Sequence, residues 1–159
     1  MSPVFERFER LDDDVWREVL NVNLLGAVGC CRAALPLFDA AGGGSVVNIS
    51  SVHGSRAHER LVAYAASKGA LEMVTRTLAI EWAARDVRVN AVAPGYLETD
   101  MTAGLREHPR WAESLRSRIP LARFGTTAEV TSAVLFLASP SSSYITGTTL
   151  HIDGGRTAQ

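Results

Sequence analysis

Nowhere in the 159 residues is there a Gly-x-x-x-Gly-x-Gly or Gly-x-Gly-x-x-Gly run. A dinucleotide diphosphate is normally held by such a turn after a strand, where the free amides and positive dipole end of the next helix meet the anion. The single glycine cluster, Gly42-Gly43-Gly44, precedes a strand-like segment and so cannot serve that purpose. Cysteine is scarce: Cys30 and Cys31 are adjacent, unsuited to an ordinary disulfide and without zinc-ligand spacing. On a helix they diverge by roughly a hundred degrees and read as small apolar fillers. Charge of one sign is also lacking. The net charge of −1 offers no general attraction to nucleic acid or an anionic membrane, so neither is expected as a partner. The amino terminus has no signal-peptide apolar region, and the longest apolar runs fall far short of a bilayer span, so a cytoplasmic location is expected.

What is present is an ordinary globular composition, 47% hydrophobic and 21% charged, sized for a single domain over residues 1–159. Leu11-Asp12-Asp13-Asp14-Val15-Trp16 reads as a helix start, with carboxylates suited to a cap and first turn. That helix is expected to run from about Asp13 to about Ala40, with Pro36 kinking it or ending its regular part. A β-branched run gives a strand over Ser45–Ser51, then a loop through Arg60 and a helix over about Leu61–Ala84. A second strand follows over about Val87–Ala93, with short helices and loop across Glu98–Arg123. Thr126 and Glu129 have capping-box spacing ahead of a helix over Thr127–Ala138; Pro140 closes it, and Thr148–Ile152 is the last strand. Alternating strands and helices imply parallel strands with right-handed crossovers, an α/β doubly wound sheet.

Chemistry concentrates in Val62-Ala63-Tyr64-Ala65-Ala66-Ser67-Lys68. Four residues apart on a helix, the Tyr64 phenol and the Lys68 ammonium project from one face as neighbours. A free phenol titrates near pH ~10, and bringing it to neutrality takes roughly 4 kcal/mol of differential stabilisation. A nearby cation pulls in that direction. Ser51 lies thirteen residues before Tyr64 at the carboxyl end of the first strand, the rim at which open α/β sheets bind ligands. Its hydroxyl can donate to a substrate oxygen while Tyr64 transfers the proton. Asn23 lies upstream on a helix, in Asn21-Val22-Asn23-Leu24-Leu25-Gly26, and Pro94-Gly95 directly follows the second strand.

In this order and spacing, these four elements resemble the short-chain dehydrogenase/reductase family, from the Leu11 region to Gly155. The resemblance implies a Rossmann-like fold and NAD(P)-dependent interconversion of an alcohol and a carbonyl, with a small-molecule substrate and NAD or NADP as cofactor. It casts Tyr64 as general acid/base and Lys68 as the group that lowers its pKa and holds the nicotinamide ribose. Ser51 would polarise the carbonyl, and Asn23 would support a water relaying protons towards Lys68. Pro94, Gly95, Leu97 and Thr99 correspond to the segment lining the nicotinamide. Gly147 and Asp153-Gly154-Gly155 match the last strand and the turn after it.

The missing glycine-rich turn departs from the family pattern, as do a missing Asn-Asn-Ala-Gly motif and the acidic or basic residue that selects NAD or NADP. The expectation is therefore a partial doubly wound sheet without its amino-terminal strands, and Ser45–Ser51 left at or near an edge. The alternative reading is a truncated, non-catalytic chain that keeps only the oligomerisation surface.

The Tyr64 helix also carries Leu71, Met73, Val74, Leu78, Ile80 and Trp82, too many apolar positions for one stripe. One face is expected on the sheet and the other against a second subunit. The preceding helix, with Val28, Cys30 and Leu35, is similarly rich, and the resemblance favours a homo-oligomer. Ser51 lies outside a Gly-x-Ser-x-Gly elbow, and His53, two residues on, is poorly placed over it, so a hydrolase triad is set aside. His53, His58 and His108 lack metal spacing and read as loop residues. His108-Pro109 and Trp111 fall where the family has a substrate-covering segment, and Asn48 reads as a structural hydrogen-bonder. Arg106, Arg110, Arg116, Arg118 and Arg123, interspersed with acids, read as a solvated helix face.

Overall fold

A computed structural model describes residues 4–159. Three parallel strands form one sheet in the order β1-β2-β3: β1 is Gly44–Ile49, β2 is Val87–Pro94 and β3 is Thr149–Ile152. The central strand is buried on both faces. Val87 and Val89 point into a cluster with Cys31, Ala79 and Trp82, which Leu35, Phe38, Val46 and Leu78 flank. Each such valine contributes about 1.5–3 kcal/mol through burial. The intervening Arg88 points to the other face. There its guanidinium donates to the carbonyls of Leu137, Ser139 and Ile145 and to Ser142 Oγ. A cation thus satisfies the last carbonyls of helix α6, Thr127–Ala138, where the helix dipole is negative. Helices therefore cover both faces, the layering expected of a doubly wound fold.

On the first face lie α1 (Asp13–Leu20), α2 (Gly26–Ala41) and α3 (Val62–Glu81). Asp12 caps α1 by accepting from the Asp14 amide at 2.7 Å. The stretch expected as one helix from Asp13 to Ala40 is divided at an unexpected place. Pro36 sits inside α2 without ending it, and the irregularity is instead a π turn at Asn21–Leu25. Gly42, at φ 73°, stops α2 in the left-handed conformation that a side chain disfavours. By length and composition the Asp13–Ala41 stretch could cross a bilayer, which the count of consecutive apolar residues did not suggest. Its inward side nevertheless buries Val19, Asn23 and Cys31.

The remaining boundaries move by at most three residues. The last helix agrees at both ends, with the Thr126–Glu129 capping box formed. The Glu98–Arg123 stretch contains α4 (Ala103–Glu107) and α5 (Pro109–Arg116). β1 is an edge strand, as the sequence implied.

Candidate active site

Because all three strands are parallel, their carboxyl ends share one rim. Ile49 is in register with Val92, and Pro94 with Ile152. Ser50 extends the first pairing, its amide donating to the Val92 carbonyl at 2.8 Å. The chain leaves β1 through Ser51, whose Oγ accepts from the His53 amide at 3.2 Å and so caps the single turn Val52–Gly54. That turn is pinned to α3 at two points. Ser50 Oγ donates to the buried Glu72 carboxylate at 2.8 Å, and Gly69 approaches so closely that an added Cβ would lie 3.0 Å from the Gly54 carbonyl. Glu72 follows Lys68 by one helical turn, so the Ser51 loop and the Tyr64 helix are locked together.

Ser51, Tyr64 and Gly95 line one cavity of about 90 Å³, together with His53, Tyr96 and Met101. The Lys68 ammonium lies 5.8 Å from the Tyr64 ring centroid and donates to the Ile49 carbonyl at 2.8 Å. Asn23 stands behind them. Its Nδ2 donates to Ser67 Oγ at 3.3 Å, and Ser67 Oγ donates to the Tyr64 carbonyl at 2.7 Å. The π turn carries Asn23, the type of local widening that often marks functional positions.

The electrostatics differ from the sequence expectation. Burial pushes the Tyr64 phenol above its ordinary pKa, and a hydrogen bond with Ser51 opposes this without reversing it. Burial also pulls the Lys68 ammonium below its ordinary value. Desolvation dominates at both groups, and both are biased towards their neutral forms.

Of the other expected site residues, Pro94 ends β2, while Leu97 and Thr99 lie in the following loop, outside the lining of this cavity. The Leu97 and Thr99 carbonyls accept from Thr102 Oγ1, and Leu97 bridges to Gly125. Asn48 is structural as expected, donating to Thr75 Oγ1 at 2.9 Å. His53 lies in the connection between β1 and α3, where a loop was expected, and is buried in the cavity wall. Its Nδ1 is 3.3 Å from the Arg56 carbonyl rather than bonded to Ser51, which leaves no hydrolase pair. Tyr96, Glu72 and Arg156 escaped the sequence reading. Tyr96 does directly follow Pro94-Gly95, but a bare adjacency does not announce that a ring will face inward.

A family model described as enoyl-(acyl carrier protein) reductase matches residues 1–157. The galactitol 2-dehydrogenase (L-tagatose-forming) of Cereibacter sphaeroides is 46% identical over 148 residues, covering 92% of this chain and 58% of that protein. A 3-oxoacyl-(acyl-carrier-protein) reductase of Thermotoga maritima is 47% identical over 146 residues, with the same two shares. This chain thus spans about three-fifths of the length of these relatives. The crystal structure of a gluconate 5-dehydrogenase from Burkholderia cenocepacia, in complex with NADP and tartrate, superposes with a TM-score of 0.96 at 33% identity. It covers 99% of this chain, which in turn covers 62% of it.

Proposed function

This chain belongs to the short-chain dehydrogenase/reductase family, whose members matched here are NAD(P)-dependent oxidoreductases, and on that premise we propose that its site interconverts an alcohol and a carbonyl. The observation that carries the reading is the cavity walled by Ser51, Tyr64 and Gly95, with Lys68 one helical turn behind Tyr64.

The residues present suit the nicotinamide-ribose end of a dinucleotide. Lys68 uses one N–H on Ile49 and retains two donors at the strand rim, where ribose hydroxyls are acceptable partners. Pro94, Gly95, Leu97 and Thr99 supply the adjoining backbone. The diphosphate end has no counterpart among the described residues: none of their helices opens on a glycine-rich turn after a strand. When bound, NAD or NADP supplies or accepts the hydride at the substrate carbon. In the reductive direction Tyr64 gives its phenolic proton to the developing alkoxide while Ser51 donates to the same oxygen. The two donors place stabilisation where charge forms, and Tyr64 is reprotonated through Lys68 and Asn23. A neutral phenol, which burial favours, is the form needed for that donation.

The same proposal includes a small-molecule substrate, a cytoplasmic location and homo-oligomeric assembly. Apolar side chains exposed on α2 and α3, with Met73 57% and Ile80 81% exposed, support the assembly. The test is turnover by these 159 residues joined to the amino-terminal strands of the Thermotoga relative. Oxidation of NADH or NADPH by a panel of ketones should be seen, and should vanish in Tyr64→Phe. Turnover in Tyr64→Phe at the parent rate would sink the mechanism.

A second reading, a non-catalytic chain that retains only the assembly surface, is favoured by the lack of a diphosphate cradle among the described residues. It expects no saturable binding of NADH or NADPH to the 159-residue chain at micromolar concentrations by fluorescence titration. A clear micromolar dissociation constant would exclude it.

A further inference from the structure

Beside the Ser51–Tyr64 cavity lies a larger one of about 870 Å³, and the two share Phe5, Tyr96 and Leu105 in their walls. Tyr96 is the partition: its ring is 6.0 Å from that of His53 on the catalytic side, and the Arg156 guanidinium carbon is 5.4 Å from its centroid. Three guanidinium groups, from Arg56, Arg118 and Arg156, line the larger cavity, against a single side-chain carboxylate, that of Glu59. None of the three pairs with an Asp or Glu side chain among the described residues. Arg56 donates to the Arg156 carbonyl and to the main-chain oxygen of the last residue, Gln159, and Arg156 donates to the Arg118 carbonyl. Arg156 is only 4% exposed, yet its Nε has no hydrogen-bond partner. The residue still lines the cavity, so its charge is presented there with no Asp or Glu side chain paired to it.

We propose that this cavity receives a carboxylate carried by the substrate, with Arg118 and Arg156 as its partners, so that the preferred substrates are hydroxy or oxo acids. The inference rests on the alcohol/carbonyl reading of the neighbouring site and names the class of molecule that site takes. Guanidinium matches a carboxylate in planar, bidentate fashion. Leu105, Trp111 and Leu115 give the rest of the wall an apolar body to hold a carbon chain. Glu59 offsets part of the positive charge, which favours a singly charged carboxylate over a doubly charged phosphate. Burial first, and then the positive charges of His58, Arg156 and Arg56, depress the His53 pKa; only its bond to the Arg56 carbonyl opposes them.

The experiment is calorimetric titration of the 159-residue chain with 4-oxopentanoate, 5-oxohexanoate and 6-oxoheptanoate, their primary amides, and inorganic phosphate. At least one oxo acid should bind saturably while its amide does not. Arg118→Ala should weaken that binding about tenfold or more, as loss of a charge-assisted bond requires. Arg116→Ala, which removes the same charge from outside the cavity, should leave it unchanged. Arg156→Lys, a second variant checked for folding by circular dichroism, should also weaken it. Equal binding of acid and amide, indifference to Arg118→Ala, no binding by any of the oxo acids, or tighter binding of phosphate would each overturn the proposal. Charge-dependent binding without turnover in the joined chain would instead remove the catalytic reading and leave the carboxylate site standing.

Discussion

The Lys68 ammonium sits 5.8 Å from the centre of the Tyr64 ring, yet its hydrogen bond goes to the Ile49 carbonyl at the end of the first strand. The cation is held at a fixed point beneath the phenol by the sheet, not by the phenol itself. On the mechanism proposed above, Lys68 would have two separable jobs, biasing the proton of Tyr64 and offering its remaining donors at the rim.

Those jobs are expected to part under mutation. In the joined chain, Tyr64→Phe should abolish turnover with cofactor affinity nearly unchanged, because only the transferable proton is lost. Lys68→Ala should damage both, which steady-state kinetics and fluorescence titration with NADH and NADPH read separately. Equal losses of cofactor affinity in the two variants would contradict this division.

Lys68 is the only lysine in the chain, so its titration can be followed directly. After reductive methylation with labelled formaldehyde, its methyl resonance should titrate below the ordinary lysine value, since burial disfavours the charged form. Between the lowered folded value and the unfolded one the unfolded chain binds more protons, so stability should rise with pH across that window. The contribution is complete above the unfolded pKa of ~10.4 and is lost as pH falls through the folded value. A lysine titrating at or above its ordinary value would refute the desolvation account.

The tie between the Ser51 loop and α3 should be visible in stability. Glu72 is 4% exposed and accepts from Ser50 Oγ, so Glu72→Leu should cost about 1–3 kcal/mol by stranding a buried hydroxyl. Glu72→Gln keeps an acceptor and should cost less. Gly54→Ala would drive a methyl into the Glu72 carboxylate and should cost about 1–3 kcal/mol. Urea unfolding measures all three; a neutral Gly54→Ala would show that the turn is free to move.

Asp153 supplies an acid-sensitive element. Burial alone would raise its pKa, but bonds from the Thr157 hydroxyl and amide and from the Gly155 amide, helped by His151, outweigh burial and hold the carboxyl below its ordinary value. Its contribution is present above the unfolded carboxylate pKa of ~3.9 and lost as pH falls through the lowered folded value. Thermal melts should show wild type more stable than Asp153→Asn at neutral pH, with the gap closing below about pH 4. A gap independent of pH would assign the loss to packing instead.

The edge position of β1 and the exposed apolar positions on α3 should make the 159-residue chain associate. Light scattering should report an oligomer or larger species, and Met73→Glu with Ile80→Glu should reduce it. A stable monomer with a sharp melt would show that the three strands are a sufficient core.

Much of the site was legible in sequence because its residues are local. Tyr64 and Lys68 share one helix, so their spacing alone makes them neighbours, and Ser51 follows a β-branched run bounded by glycines that reads as a strand. The last helix was readable to the residue because Thr126 and Glu129 cap it through contacts three positions apart. The π turn at Asn21–Leu25 was not, since nothing in Asn-Val-Asn-Leu-Leu distinguishes it from plain helix. Tertiary hydrogen bonding from Asn23 to Ser67, 44 residues away, accompanies the irregularity.

Local periodicity and spacing by themselves determined the α/β class, the order of the elements and the adjacency of Tyr64 and Lys68, and the family resemblance added Ser51 to that pair. Only the tertiary structure decided that burial would dominate at Tyr64 and raise its pKa. It also placed Arg56, Arg118 and Arg156, read as solvated or not read at all, along one cavity beside the catalytic rim. The reason is that desolvation and electrostatic potential are set by every group that folding brings near. Arg56 and Arg156 are a hundred positions apart in the chain and 2.8 Å apart, guanidinium to carbonyl, in the folded protein.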